Sequence, residues 1–152
     1  MNTHILTNTG TRKPNAQKPR KHVLGKSAPE ASPQSRLSLS RHYLATLTLP
    51  DIKKLTDVKG FSSALQPILE KESVQCLGQV NHEFPNESFT VVVALAESHI
   101  SVHTWPEYRT VQLDVFLCNY IHDNKQKSER IFNAIVEYFE PVESDATYID
   151  RL

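Results

Sequence analysis

Apolar residues recur along this chain in short runs, many of them alternating with polar positions, and this pattern favours β-strands. Alternation is typical of a strand with one buried face, whereas a continuous apolar run is typical of a strand buried on both faces. The segment 90–96 is a continuous run, so we expect both of its faces to be buried. Five further strands are predicted, over 42–49, 74–80, 100–104, 111–118 and 146–149.

Two segments carry apolar residues at helical spacing. The clearer helix is predicted over 125–140, where one stripe of large apolar residues recurs every three to four positions. The other helix is predicted to begin near Phe61, with Ser62 or Ser63 as its N-terminal cap. Because Pro67 lies inside that helix and lacks a backbone N–H, the start could also lie nearer Pro67.

The order of these elements predicts an α+β fold. A strand and a helix are followed by several strands and a second helix, with a short helical turn over 51–57 and a turn over 105–108. Such an order is typical of a two-layer sandwich, in which a mainly antiparallel sheet carries its helices on one face.

The charge pattern divides the chain. The whole chain has 152 residues, with 17 basic and 17 acidic groups; seven basic groups and one acid lie in 1–36, which leaves ten and sixteen in the rest. Residues 1–39 contain four prolines and few large apolar groups, so we predict a disordered basic N-terminal arm there and one folded domain over 40–152.

The two cysteines favour free thiols, and no run approaches the roughly 20 apolar residues of a membrane span. These features predict a cytoplasmic protein without a membrane or nucleic-acid partner.

Reactive side chains are densest in residues 97–107, which hold two acids, two histidines and a serine directly after an apolar run. A serine hydroxyl can attack the carbonyl of the preceding residue if a strained turn holds it, a nearby group polarises that carbonyl and a base is available. Ser98 ends the apolar segment, His103 lies five residues later and Thr90 eight residues earlier. Each requirement therefore has a candidate.

The ester formed by such an attack can eliminate the upstream acid to leave dehydroalanine, which loses ammonia and leaves a ketone at the new N-terminus. This ketone can form a Schiff base with an amino acid and withdraw electrons as the carboxylate leaves. Cys118 could return the proton, because a thiol is mostly protonated at neutral pH. Strand alternation places Cys118 on the same face as Gln112 and Asp114.

The segment from Glu97 to Glu107, together with Arg41-His42 before the first strand, resembles the prokaryotic S-adenosylmethionine decarboxylase proenzymes. The resemblance covers about residues 40–152. It implies a carboxy-lyase that cleaves itself between 97 and 98, makes its own pyruvoyl cofactor and supplies decarboxylated S-adenosylmethionine for polyamine (spermidine) biosynthesis. It also implies a homodimer with an αββα-type sandwich and active sites near the subunit interface.

The resemblance assigns a role to each candidate site residue. These are Ser98 as pyruvoyl precursor and Schiff-base partner, His103 as processing base, Thr90 as processing assistant, Cys118 as proton donor, Glu97 as the new C-terminus, Phe84 as adenine-stacking residue and Glu107 as ribose ligand.

The chain departs from the family pattern near the expected substrate contacts. Arg109 and residues 88–89 replace glycine and glycine-valine. A pyruvoyl-dependent ornithine or arginine decarboxylase is therefore an alternative, and so is a homologue that binds a ligand or partner without maturing. A zinc site formed by His99, His103 and Cys118 is a further alternative, although no fourth ligand is convincingly spaced.

Overall fold

The computed structural model describes residues 38–120 and 122–152. It contains six strands and two helices: β1 (Ser40–Thr48), α1 (Val58–Lys71), β2 (Cys76–Glu83), β3 (Phe89–Leu95), β4 (Ser98–Trp105), β5 (Thr110–Leu117), α2 (Lys125–Phe139) and β6 (Glu143–Arg151). Single 3₁₀ turns precede α1 at Lys53–Leu55 and follow β4 at Pro106–Tyr108. The predicted basic arm lies outside the described residues except for positions 38 and 39, so the boundary at residue 40 stays a prediction.

The strands form one sheet in the order β2-β3-β4-β5-β1-β6, with every neighbouring pair antiparallel. Both helices pack on the same face of this sheet, where the apolar core lies. The predicted α+β sandwich with helices on one face is therefore confirmed. Within the described residues neither helix is long and apolar enough to cross a membrane.

Aromatic rings join the helices to the sheet in the core. The ring of Phe61 on α1 stacks at 5.5 Å on Phe139 of α2 and at 6.0 Å on Phe89 of β3. All three side chains are almost fully buried. Burying one such ring contributes about 1.5–3 kcal/mol, so this stack is a principal contact between the two layers.

Helix α1 begins one turn earlier than predicted, and the expected cap at Ser62 or Ser63 is wrong. Asp57 caps the helix, because its Oδ1 atom accepts a 2.7 Å hydrogen bond from the backbone N–H of Gly60. The earlier start lets Val58 join Phe61 on the buried stripe. Pro67 lies inside the helix without ending it.

The second face of the sheet, which we call the open face, carries no helix formed by residues 38–120 or 122–152. The expectation that segment 90–96 is buried on both faces is wrong for the single chain, because Val92 points to the open face and is 41% exposed. In β5 the predicted alternation is confirmed: Gln112 and Asp114 lie on the open face, while Leu113 and Val115 are buried against the helices.

Candidate active site at the β3–β4 turn

Ser98 opens strand β4 directly after a two-residue turn from β3. Tight hairpin loops of this length favour Gly, Asn or Asp, whereas here the loop is Ala96-Glu97. Ser98, the residue after this loop, has a positive φ of 147°, which lies in the region that favours glycine. A non-glycine residue held there stores about 1–3 kcal/mol of strain. The turn therefore has the strained serine that the sequence predicts.

The Ser98 hydroxyl contacts an imidazole. Its Oγ atom lies 3.1 Å from Nδ1 of His99, and both side chains are half-buried. A hydroxyl hydrogen-bonded to a ring nitrogen is the arrangement in which a base can take the hydroxyl proton.

The carbonyl of Glu97 is held by the end of strand β5. Its oxygen accepts a 2.8 Å hydrogen bond from the backbone N–H of Cys118. A fixed N–H donor at this position polarises the carbonyl and stabilises negative charge that develops on its oxygen. The group that contacts the upstream carbonyl within one chain is thus a backbone amide, and not the side chain of Thr90 or His103.

Asn124 is a residue of this site that sequence reasoning missed. Its side chain is fully buried, and Nδ2 donates to Oε1 of Glu97 at 2.9 Å and to the carbonyl oxygen of Cys118 at 2.8 Å. Asn124 occupies the N-cap position of α2, where asparagine is favoured, but within the described residues its side chain makes no cap bond. The sequence signal at this position, an asparagine before a helix, indicates an N-cap and does not indicate the contact with Glu97.

His103 and Thr90 form a second cluster, away from Ser98. They are direct cross-strand partners on β4 and β3, and Thr90 Oγ1 lies 2.9 Å from His103 Nδ1. His103 lies five positions after Ser98 on β4, a distance of about 16 Å at about 3.3 Å per residue. The structure brings His103 and Thr90 together but does not bring them to the Ser98 of the same chain.

A cleft of about 550 Å³ lies beside that second cluster. Thr90 and His103 line one side of it, and the half-exposed rings of Phe84 and Trp105 line another. Glu107 lies near its edge, 3.5 Å from the side-chain amide of Asn86. The predicted ligand residues Phe84 and Glu107 are therefore close to one cleft.

Polar side chains occupy the open face between the two clusters. Asp114 accepts a 2.7 Å hydrogen bond from the Ser101 hydroxyl, and its other oxygen lies 3.7 Å from Nε2 of His42. Burial lowers the pKa of His42, with the Asp114 carboxylate acting in the opposite direction. Burial therefore favours the uncharged form of His42.

The zinc alternative is not supported by the geometry. His99 and His103 lie four residues apart on one strand, about 13 Å, which is too far for both to bind one ion. Among residues 38–120 and 122–152, no group of three His, Cys, Asp or Glu side chains is placed to hold a metal ion.

Known proteins share this sequence and this fold. A sequence model described as S-adenosylmethionine decarboxylase matches residues 41–152. A protein of Archaeoglobus fulgidus named S-adenosylmethionine decarboxylase proenzyme is 31% identical over 113 residues, covering 74% of this chain and 97% of its own. A protein of the same name from Pyrobaculum arsenaticum is 32% identical over 117 residues, covering 76% and 90%.

A crystal structure of the adenosylmethionine decarboxylase from Aquifex aeolicus has a similar fold. It superposes with a TM-score of 0.68 at 28% identity, covering 76% of this chain and 92% of that one. The fold and the matched residues define a decarboxylase of the carboxy-lyase class. The chain belongs to the S-adenosylmethionine decarboxylase family, which confirms the predicted resemblance and enzyme class.

Proposed function

We propose that the chain is a proenzyme that cleaves itself between Glu97 and Ser98 and then decarboxylates S-adenosylmethionine for polyamine (spermidine) biosynthesis. The observation that carries this proposal is the strained Ser98, whose hydroxyl contacts an imidazole while the preceding carbonyl accepts the Cys118 N–H. A serine that served only as a turn residue would need neither contact.

The residues present fit a pyruvoyl group derived from Ser98. When formed, this group withdraws electrons from a bound amino acid as its carboxylate leaves as carbon dioxide. Cys118 lies at the end of β5 beside Ser98, half-exposed, and is proposed to return the proton to the substrate carbon. Asn124 holds Glu97 in place, including after Glu97 becomes a new C-terminus.

The cleft beside Phe84 suits a nucleoside with a positively charged sulfonium. Half-exposed Phe84 and Trp105 offer aromatic faces for a planar base and for a cation, and the Glu107 carboxylate can accept hydrogen bonds from ribose hydroxyls. A free basic amino acid has no ring to stack there, so these aromatic residues favour S-adenosylmethionine over ornithine or arginine.

The active unit is proposed to be a homodimer that pairs the open faces of two chains. An apolar residue such as Val92 is exposed on that face, and His42 Nε2 is buried without a partner among the described residues. If the two-fold axis crosses the strands, the Ser98 end of one β4 meets the His103 end of the other. The histidine and the cleft of the partner would then lie beside Ser98. Within one chain, the spacing along β4 keeps His103 away from Ser98.

Intact mass spectrometry of freshly purified protein, beside a Ser98→Ala control, tests the proposed function. We expect two pieces divided at 97/98, with the C-terminal piece lighter than its serine form by one ammonia, and carbon dioxide release from S-adenosylmethionine. A wild-type chain that stays whole on incubation, as Ser98→Ala does, would overturn the proposal in favour of a non-maturing binding protein.

A further inference from the structure

We propose that His99 is the catalytic base that takes the Ser98 hydroxyl proton in self-cleavage, an inference that rests on the proposed function. The Nδ1 atom of His99 lies within hydrogen-bond distance of the nucleophilic oxygen, at 3.1 Å. His103 lies about 16 Å away along the same strand. Among the described residues of one chain, His99 is thus the histidine in contact with the reacting hydroxyl.

The contact depends on the strain at Ser98. Successive residues of a strand point to opposite faces, so a regular strand would direct the side chains of Ser98 and His99 apart. The positive φ of Ser98 interrupts the alternation at the first residue of β4 and brings the hydroxyl to the side of the imidazole. One distortion therefore both strains the scissile peptide and aligns the nucleophile with a base.

Neighbouring rings hold His99 in orientation. His42 contacts it edge-on at 5.8 Å between ring centroids, and Phe116 does so at 6.1 Å. Burial lowers the pKa of His42, which favours the uncharged form of this neighbour. The half-buried His99 ring therefore keeps Nδ1 at hydrogen-bond distance from the Ser98 hydroxyl.

The step balances with the atoms present. The proton leaves Oγ of Ser98 for Nδ1 of His99 as Oγ bonds to the carbonyl carbon of Glu97, and the Cys118 N–H stabilises the resulting oxyanion. The C–N bond of the former peptide then breaks, and its nitrogen takes the proton back from His99. The products are an ester between Glu97 and Ser98 and a free amine on Ser98. In the proposed dimer, the later removal of the Ser98 Cα proton is left to His103 of the partner subunit.

The test separates the two histidines by the stage at which maturation stops. Precursors of wild type, His99→Ala, His99→Gln and His103→Ala are followed by intact mass, with and without hydroxylamine, which cleaves esters but not ordinary peptide bonds. Both His99 variants are expected to split at least about 100-fold more slowly than wild type and to resist hydroxylamine. His103→Ala is expected to reach the ester and to be cut by hydroxylamine at 97/98.

Controls address folding. His99→Gln keeps a side chain of similar length that can hydrogen-bond but cannot take the proton, so it tests the role if His99→Ala folds poorly. His122→Ala changes an exposed histidine and is expected to split at the wild-type rate.

Two results would overturn the role of His99: splitting of the His99→Gln chain at the wild-type rate, or an ester in that chain that hydroxylamine cuts. Either result would leave self-cleavage itself standing. A wild-type chain that never splits would overturn the proposed function as well.

Discussion

The backbone N–H of Cys118 donates a 2.8 Å hydrogen bond to the carbonyl oxygen of Glu97. In the proposed self-cleavage this is the carbonyl that Ser98 attacks, so the amide of Cys118 stabilises the charge that forms during maturation. The contact uses no side-chain atom. The proposed role of the Cys118 backbone in maturation is therefore independent of the proposed role of its thiol in turnover.

The variant Cys118→Ala should separate these two stages. It keeps the backbone N–H, so the chain is expected to split into its two pieces at close to the wild-type rate. It lacks the thiol, so carbon dioxide release from S-adenosylmethionine is expected to fall at least about 100-fold. Cys76→Ala, at an exposed position of β2, is the matched control and should change neither measurement. Full turnover by Cys118→Ala would rule out the thiol as proton donor.

The variant Asn124→Ala should slow maturation and lower stability together. It removes the donor that joins Glu97 to Cys118 and leaves the buried carbonyl of Cys118 without that bond. The free energy of unfolding, measured by urea titration in an uncleavable Ser98→Ala background, is expected to fall by about 1–3 kcal/mol. The splitting rate, measured by intact mass with Ser98 present, is expected to fall at least about tenfold.

The control for Asn124 is the N-cap of the other helix. Asp57→Ala removes the bond to Gly60 and should cost about 1 kcal/mol of stability. Because Asp57 lies away from the scissile turn, that variant should split at the wild-type rate. If Asp57→Ala slowed splitting as much as Asn124→Ala does, the effect of Asn124 would be one of general stability.

Much of the fold could be predicted from the sequence because its elements carry strong local signals. Helix α2 begins at Lys125 as predicted and ends at Phe139, one residue early, because its apolar stripe is regular and a proline follows it closely. The start of α1 was misplaced because the serines at 62 and 63 and the aspartate at 57 are all good caps. Asp57 is the cap in the structure, because a helix that begins there buries Val58 in the core. That burial depends on the sheet, which the local sequence does not show.

The candidate site could be predicted only in part. The sequence proposes Ser98 as the nucleophile from the reactive residues around it and from the family resemblance, but its φ and its contact with His99 depend on how the two-residue turn closes. The donor to the Glu97 carbonyl is a backbone amide, which no residue type reveals. The separation of Ser98 from His103 is also a result of the structure, because the strand predicted over 100–104 does not include Ser98, whereas β4 begins at that residue.

Stability should fall on the acidic side of neutrality in part because of His42. Its pKa is lowered from the ordinary 6.5, chiefly by burial, so the unfolded chain binds a proton at this position that the folded chain does not. The stabilising contribution is therefore complete above about pH 6.5 and is lost as the pH falls towards the lowered pKa. In the Ser98→Ala background, His42→Gln should flatten this part of a plot of Tm against pH. His122→Gln, at an exposed position, should leave its shape unchanged.

The variant Phe84→Ala should distinguish the substrates. Loss of the stacking face is expected to lower kcat/KM for S-adenosylmethionine about tenfold, which corresponds to about 1–1.5 kcal/mol. Splitting at 97/98 should be little affected, because the phenyl ring of Phe84 has no group that gives or takes a proton in the proposed cleavage. Leu77→Ala, an exposed apolar residue on the outer strand β2, is the control. Unchanged kinetics in Phe84→Ala would instead favour a substrate without a nucleoside.

Complementation between two inactive chains should show whether His103 acts across the dimer. The His103→Ala chain keeps Ser98, and the Ser98→Ala chain keeps His103. Because these residues lie about 16 Å apart on one strand, the histidine is expected to serve the serine of the partner chain. Co-expressed with differently sized tags, the pair should yield split His103→Ala chains in the intact mass spectrum. A double variant carrying both substitutions is the control partner and should give no splitting. If the His103→Ala chain splits no faster with the Ser98→Ala chain than with the double variant, His103 does not act across the open faces.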